Sequence, residues 1–390
     1  MPGRGSHLPH YDRLIIAHLA RRLFCLAAIA CLSLIVSLPA RAFAGQRVFY
    51  AIGWAGHRNE QLYKDLYREP VGSHPNMRLY EVDSAALRVV RSLGLPGGFG
   101  FHSSGMLAPE GAIVISDGNW GPSTVMRVSA PALTVQSVMK IDEYPGVNCM
   151  EHTFVQPVTG LAYFSCDTGS DTSGLLAVDT VRKKVVADIR AAGGPPLAYD
   201  RRRQRLYVGV TGAITIVSPR NRVLSYIEGP TARAGKHRIG SYIRGAALLP
   251  DGNLVLITNF GRSALTFQIY DPDNKKVLRS RTEKETFKVV EDAGLSKDGA
   301  RLFVDLFVNI KESDRAILFD TATLKPLRRW ILPEQGRPWP EKCFVPAPDK
   351  LGGMWFFGRS GKIYRLDDHG GKLLGEVKLP FHLISLIREK

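Results

Sequence analysis

Beyond residue 44, short runs of β-branched and aromatic residues alternate with clusters of Gly, Pro, Asp and Asn, and no stretch sustains the spacing of an amphipathic helix. That punctuation predicts many short strands. One phrase recurs, an apolar strand that ends in Asp or Ser and runs into a polar turn: RLYEVD, VMRVS, LLAVD, ITIVS, FQIYD, AILFD and IYRLD. Its last residues are Asp83, Ser129, Asp179, Ser218, Asp271, Asp320 and Asp367, in steps of 46, 50, 39, 53, 49 and 47. Upstream of the phrase stand a strand, a Pro-Asp-Gly-like hairpin and a second strand, as in GAALLPDGNLVLITN; downstream stand a turn and a fourth strand, as in DTATLKPLRRWIL.

Four antiparallel strands in each repeat of about 40 to 50 residues is the arithmetic of a β-propeller blade. The ends of the chain complete the pattern. QRVFYAIG reads as a second strand without its first, and FHLISLIREK reads as a first strand without successors. The expected fold is therefore all-β, a seven-bladed β-propeller closed by N- and C-terminal strands that share one blade, which leaves no open sheet edge between first and last blades.

The first 44 residues do not fit this pattern. Basic residues ending at Arg21 and Arg22, the apolar run LFCLAAIACLSLIVSL, and Ala42-Phe43-Ala44 have the layout of a cleaved export signal. RRLFCL is similar to a twin-arginine signal, although Ala20 and Leu26 depart from that pattern, so the export route stays open. Residues 45–390 then form a single domain, periplasmic or secreted, with no transmembrane span in the mature chain. The signal holds five of the basic residues and one of the acidic, so the mature charge falls from +16 to +12. Cys25 and Cys31 leave with it, and Cys149, Cys166 and Cys343 remain in a compartment that favours disulfides.

The units resemble the YVTN class of seven-bladed propellers, with RLYVGV and LVLITN at its YVTN strand and DTATLKPLRRW at its D-T-A-T-x-K-V turn. A cysteine at the start of an inner strand and another after the next strand are similar to the propeller (large, beta) subunit of periplasmic quinoprotein amine dehydrogenases. The resemblance implies a fold, and a partner in a small quinone-bearing or haem-bearing subunit; the quinone itself belongs to the small chain in that family. No cofactor is expected on this chain.

Within a blade the inner strand runs from one face, here the top, to the other. Top connections include the insertion 53–76, whose NEQLYKDLY reads as a short helix, and EGPTARAGKHRIGSYI; most bottom connections are tight hairpins. Aligning inner strands on their hairpins brings Ser103, Glu151, Gly194, Arg244, Glu291, Lys342 and His382 to one level at the top mouth of the channel, with His102, His152, Asp292 and Glu341 beside them. Carboxylates, imidazoles and a guanidinium at one level suit a polar or ionic ligand. Polar residues at strand starts around a water-filled channel are also the ordinary case. No H-x-H, H-E-x-x-H, G-x-S-x-G or phosphate-loop spacing is present, so neither a metal site nor a catalytic residue is assigned.

At the bottom, Arg182, Lys183 and Lys184, then Arg201, Arg202, Arg203 and Arg205, then Arg220 and Arg222, then Lys275 and Lys276 fall in turns of consecutive units. Together they predict a basic docking surface for an acidic periplasmic protein or an anionic lipid surface; nucleic acid does not fit an exported chain. In the blade so drawn, Cys149 begins the innermost strand and Cys166 ends the second, which predicts a hairpin disulfide and leaves Cys343 as the odd thiol. Three functions follow: a non-catalytic propeller that binds a partner protein or small ligand at its top face, the propeller subunit of an amine-dehydrogenase-like complex, and a single-chain hydrolase or lyase at the channel mouth.

Overall fold

The computed structural model describes residues 48–54, 77–83, 88–96, 103–117, 123–141, 148–167, 174–190, 196–210, 213–228, 231–234, 237–240, 242–259, 264–284, 289–296, 298–307, 313–335, 344–346, 354–357, 362–366, 373–378 and 382–387. Residues 1–47, with the expected export signal, and residues 55–76, with the expected short helix, lie outside them. In chain order come β1 (Val48–Trp54), β2 (Met77–Asp83) and β3 (Arg88–Gly94), then β4 (Ser104–Leu107), β5 (Ala112–Asp117), β6 (Ser123–Ser129) and β7 (Thr134–Ile141). Next are β8 (Asn148–Val155), β9 (Ala162–Asp167), β10 (Gly174–Asp179) and β11 (Lys184–Arg190), followed by β12 (Pro196–Asp200), β13 (Arg205–Val210), β14 (Ala213–Val217) and β15 (Val223–Glu228). A separate hairpin, β16 (Thr231–Ala234) and β17 (His237–Gly240), precedes β18 (Tyr242–Leu248), β19 (Leu254–Asn259), β20 (Ala264–Asp271) and β21 (Lys276–Lys284). The chain continues with β22 (Val289–Leu295), β23 (Arg301–Phe307), β24 (Ser313–Asp320) and β25 (Pro326–Gln335), then β26 (Phe344–Pro346), β27 (Met354–Phe357), β28 (Lys362–Leu366) and β29 (Leu373–Lys378), and β30 (His382–Ile387).

Among the described residues these strands make seven four-stranded antiparallel sheets and the lone hairpin, with no helix. Six sheets are sequential quartets, and the seventh runs β3-β2-β1-β30, so the last strand supplies the inner partner of the first. The recurring sequence phrase falls on the third strand of every sheet. After it the ladder slips by one residue in all seven, at Glu81/Val82, Arg127/Val128, Ala177/Val178, Ile216/Val217, Ile269/Tyr270, Leu318/Phe319 and Arg365/Leu366. The cause is local. Asp179 Oδ1 accepts the amides of Val181 and Arg182 (3.0 and 2.9 Å), and Asp271 Oδ1 those of Asp273 and Asn274 (2.9 and 3.2 Å), which tightens the turn. Left-handed residues then close it, Leu133, Lys183, Asn221, Lys275 and Leu324 with φ between 51° and 58°, and the bulge absorbs the extra residue.

Where a sheet packs between two neighbours its middle strands are continuously apolar: every residue of β5 is buried, whereas β21 is exposed along most of its length. One core cluster joins Val114 and Val125 to Phe164, Leu176 and Val208, across the sheets β4–β7, β8–β11 and β12–β15. Another joins β18–β21 to β22–β25, where the rings of Phe267 and Phe319 lie 4.1 Å apart at 42°. Inner strands pack in succession, β30 on β4, β4 on β8, β8 on β12, β12 on β18, β18 on β22 and β22 on β26. Gly105 permits the first of these contacts, because a Cβ there would lie 2.4 Å from Ile387 Cδ1.

Candidate functional site

The upper ends of the inner strands do not keep a regular ladder. In β8, Cys149 pairs with Cys166 and Thr153 with Phe164, so Met150, Glu151 and His152 stand opposite Ser165 alone. In β18, Ile243 pairs with Thr258 and Gly245 with Ile257, leaving Arg244 as the extra residue. In β22, Val290 pairs with Leu306 and Asp292 with Asp305, leaving Glu291 as the extra residue. Glu151, Arg244 and Glu291 each lie four residues before the last paired residue of their strand, Val155, Leu248 and Leu295. Five inner strands thus break register: β12 at Leu197 and β30 at Ile384 hold apolar residues at the break, whereas β8, β18 and β22 break four residues before their last paired residue, at Glu151, Arg244 and Glu291. A bulge interrupts the ladder and bends its strand, and bulges are over-represented beside active sites.

Ser103 occupies the equivalent place before β4; it is 2% exposed, and its hydroxyl has no hydrogen-bond partner among the described residues. His382 begins β30 opposite Trp54. His102, Glu341 and Lys342 lie outside the described residues. Immediately below the β8 bulge a buried hydroxyl cluster ties β8 to β4 and β5. Thr153 Oγ1 lies 2.8 Å from Ser104 Oγ and 2.6 Å from Ser116 Oγ, and the Thr153 amide donates to Ser104 Oγ at 2.7 Å. This cluster anchors the base of the bulge, and nothing in the residue pattern distinguishes its serines and threonine from surface ones.

Cys149 and Cys166 are directly opposite each other in the β8–β9 ladder. Antiparallel partners have Cα atoms about 4.5 or 5.5 Å apart, within the span of about 4.4 to 6.8 Å that a disulfide bridges. Cys343 lies outside the described residues.

At the bottom, Arg182, Lys183, Lys184, Arg201, Arg202, Arg220, Arg222, Lys275 and Lys276 are exposed and Arg205 is half-buried. Arg203 is different. Its side chain is 8% exposed and its guanidinium is fully engaged, with Nε and Nη2 on the two Asp273 oxygens (2.7 and 2.6 Å) and Nη1 on Asp200 Oδ2 (2.5 Å) and the Gly252 carbonyl (2.8 Å). The hydrogen bonds to Asp273 and then Asp200 hold Arg203 firmly protonated, and in return Arg203 lowers the Asp273 pKa. Arg203 is thus a clasp between sheets β12–β15 and β18–β21. Gly252, at φ 87°, makes room for it, since a Cβ would lie 2.5 Å from Arg203 Nη1. Beside it, a groove of about 460 Å³ runs between sheets β18–β21 and β22–β25. Its acids serve their own turns, Asp251 accepting from Asn253 and Asp298 from Ser296 and Ala300.

No family model and no curated protein matches the chain in sequence. In structure it is similar to the periplasmic gluconolactonase PpgL of Pseudomonas aeruginosa, at 13% identity and a TM-score of 0.57 over 87% of this chain and 98% of that one. It is also similar to the hydrazine synthase of Kuenenia stuttgartiensis, at 18% identity and TM-score 0.55 over 72% and 88% of the two chains. The dihydro-heme d1 dehydrogenase NirN, in complex with DHE, aligns at 11% identity and TM-score 0.50 over 87% and 74%. At these identities the likeness concerns the fold, and with the antiparallel sheets it makes the chain a β-propeller.

Proposed function

We propose that the chain is an exported, closed seven-bladed β-propeller that binds a small ionic ligand at the top mouth of its channel. The observation that carries this reading is that β8, β18 and β22 break register at equal distance from their last paired residues, at Glu151, Arg244 and Glu291. Closure is supported by the β1–β30 pairing and by the succession of inner-strand contacts, which lacks only β26 against β30. On the described strands Glu151, Glu291 and Asp292 outnumber Arg244, so a cationic or zwitterionic ligand fits better than a simple anion. An enzymatic reading at the same mouth, as a single-chain hydrolase or lyase, has the support that propellers of similar fold include a gluconolactonase. Assembly with a small quinone- or haem-bearing subunit rests on the sequence resemblance alone.

Calorimetric titration of the mature protein with a panel of small amines, zwitterions and carboxylates tests the site. The combined variant Glu151→Gln, Arg244→Ala, Glu291→Gln is expected to lose binding of whichever compound the parent takes by about 100-fold or more, the scale of two or three charge-assisted bonds. Undiminished binding by that variant removes the mouth from consideration. Release of a product during titration selects the enzymatic reading.

The opposed cysteines are part of the same proposal: a Cys149–Cys166 bridge would fix the strand pair that carries Glu151 and His152. Intact-mass measurement should find the oxidised pair, and Cys149→Ser should cost at most about 3 kcal/mol, because a loop of this length restricts the unfolded chain only modestly. Free thiols at both positions in protein isolated from an oxidising compartment would end this part of the proposal.

A further inference from the structure

We propose that the bottom turns of sheets β8–β11 and β12–β15 dock the protein onto an anionic phospholipid bilayer. Seven exposed cations crowd those turns: Arg182, Lys183, Lys184, Arg201, Arg202, Arg220 and Arg222. Few acids offset them. Asp200 is 3% exposed beneath Arg203, Asp179 is 20% exposed and lies 3.8 Å from Arg182, and Arg202 lies 3.7 Å from Asp273 of the next sheet; the seven cations outnumber these acids, so the outward field is positive. Among the described residues, the two most exposed large apolar side chains also stand here. Val158, 60% exposed, tips the β8–β9 turn, and Val181, 68% exposed, tips the β10–β11 turn beside Arg182.

That combination favours a lipid surface over an acidic protein. An acidic protein satisfies cations but gains nothing from projecting valines unless it offers matched apolar sockets. A bilayer interface meets both needs, with anionic headgroups for the cations and the acyl boundary for the apolar tips. Cations spread over separate turns, without a shared acceptor geometry, also suit a fluid array of headgroups. The plane itself is held rigid, by the Arg203 clasp on one side and by Tyr163 OH donating to Asn221 Oδ1 at 2.7 Å across the two sheets.

Co-sedimentation of the mature chain with vesicles of phosphatidylcholine alone, or with added phosphatidylglycerol, tests this. Binding is expected only to the anionic vesicles, and it should weaken as salt rises. Arg182→Glu, Lys184→Glu and Arg220→Glu combined should reduce partitioning more than about tenfold. Val158→Asp with Val181→Asp should also reduce it, while circular dichroism stays unchanged because both valines are exposed. Absence of binding to anionic vesicles at low salt overturns the proposal. So does vesicle binding indifferent to the valine pair, together with equal capture by immobilised polyglutamate, which would mark the face as a general surface for acidic polypeptides.

Discussion

Arg203→Ala should destabilise the folded protein by about 3 kcal/mol, read as a lowered urea midpoint with little change in slope. The estimate rests on burial at both ends of one pair, since the Arg203 and Asp200 side chains are 8% and 4% exposed. Removing the guanidinium strands a buried carboxylate, which keeps only its turn amides from Arg202 and Arg203, and also frees the Gly252 carbonyl. The Asp273 limb is half exposed and adds little, because water replaces the lost partner there. Arg203→Lys should recover only a small part of the loss: an ammonium cannot make the fork on Asp273 and reach Asp200 and Gly252 together. Arg203→Met should be milder than alanine, since it retains the packing of the stem. A variant with wild-type stability would mean that the clasp does not link the two sheets in solution.

The same residue shows where sequence reasoning stops. In RRRQR, residues 201–205, four arginines look alike; Arg203 is the one that pairs with Asp200, three positions before it, and also with Asp273, 70 positions away in the turn of another sheet. Local pattern carries no trace of the second pairing. The repeat was legible because its signal is local: an Asp or Ser at the end of the third strand caps its own turn, and the consequent bulge recurs in every sheet. Glu151, Arg244 and Glu291 each stand four residues before the last paired residue of their strand, a distance that can be counted in the sequence from the hairpins. What could not be read was that the strands break register at that level, since a bulge is a property of two strands and one sequence shows each strand separately. The hydroxyl cluster under the β8 bulge was invisible for a similar reason, its members coming from three strands of two sheets.

Deleting the last strand, residues 380–390, is expected to have the largest effect of any change to this chain. β30 is paired with β1 from Trp54 to Tyr50, and its removal leaves β1 as the unpaired inner edge of its sheet. At about 1 kcal/mol net for each backbone hydrogen bond, the lost ladder alone is worth on the order of 5 kcal/mol. Ile387, buried against Gly105 of β4, is lost as well, so the sheet also separates from its neighbour. An exposed inner edge beside an apolar seam invites pairing between chains, and the truncated protein should therefore be recovered as aggregate, or as a species with a sharply lower melting temperature. The decisive arm adds β30 back as a separate peptide. If closure of the ring is what stabilises the fold, the peptide should restore cooperative unfolding in proportion to its concentration, as any ligand of the folded state must. A truncated chain that stays monomeric and unfolds at the parental temperature would show instead that the sheets hold together as an open stack and that β30 is an ornament on its edge.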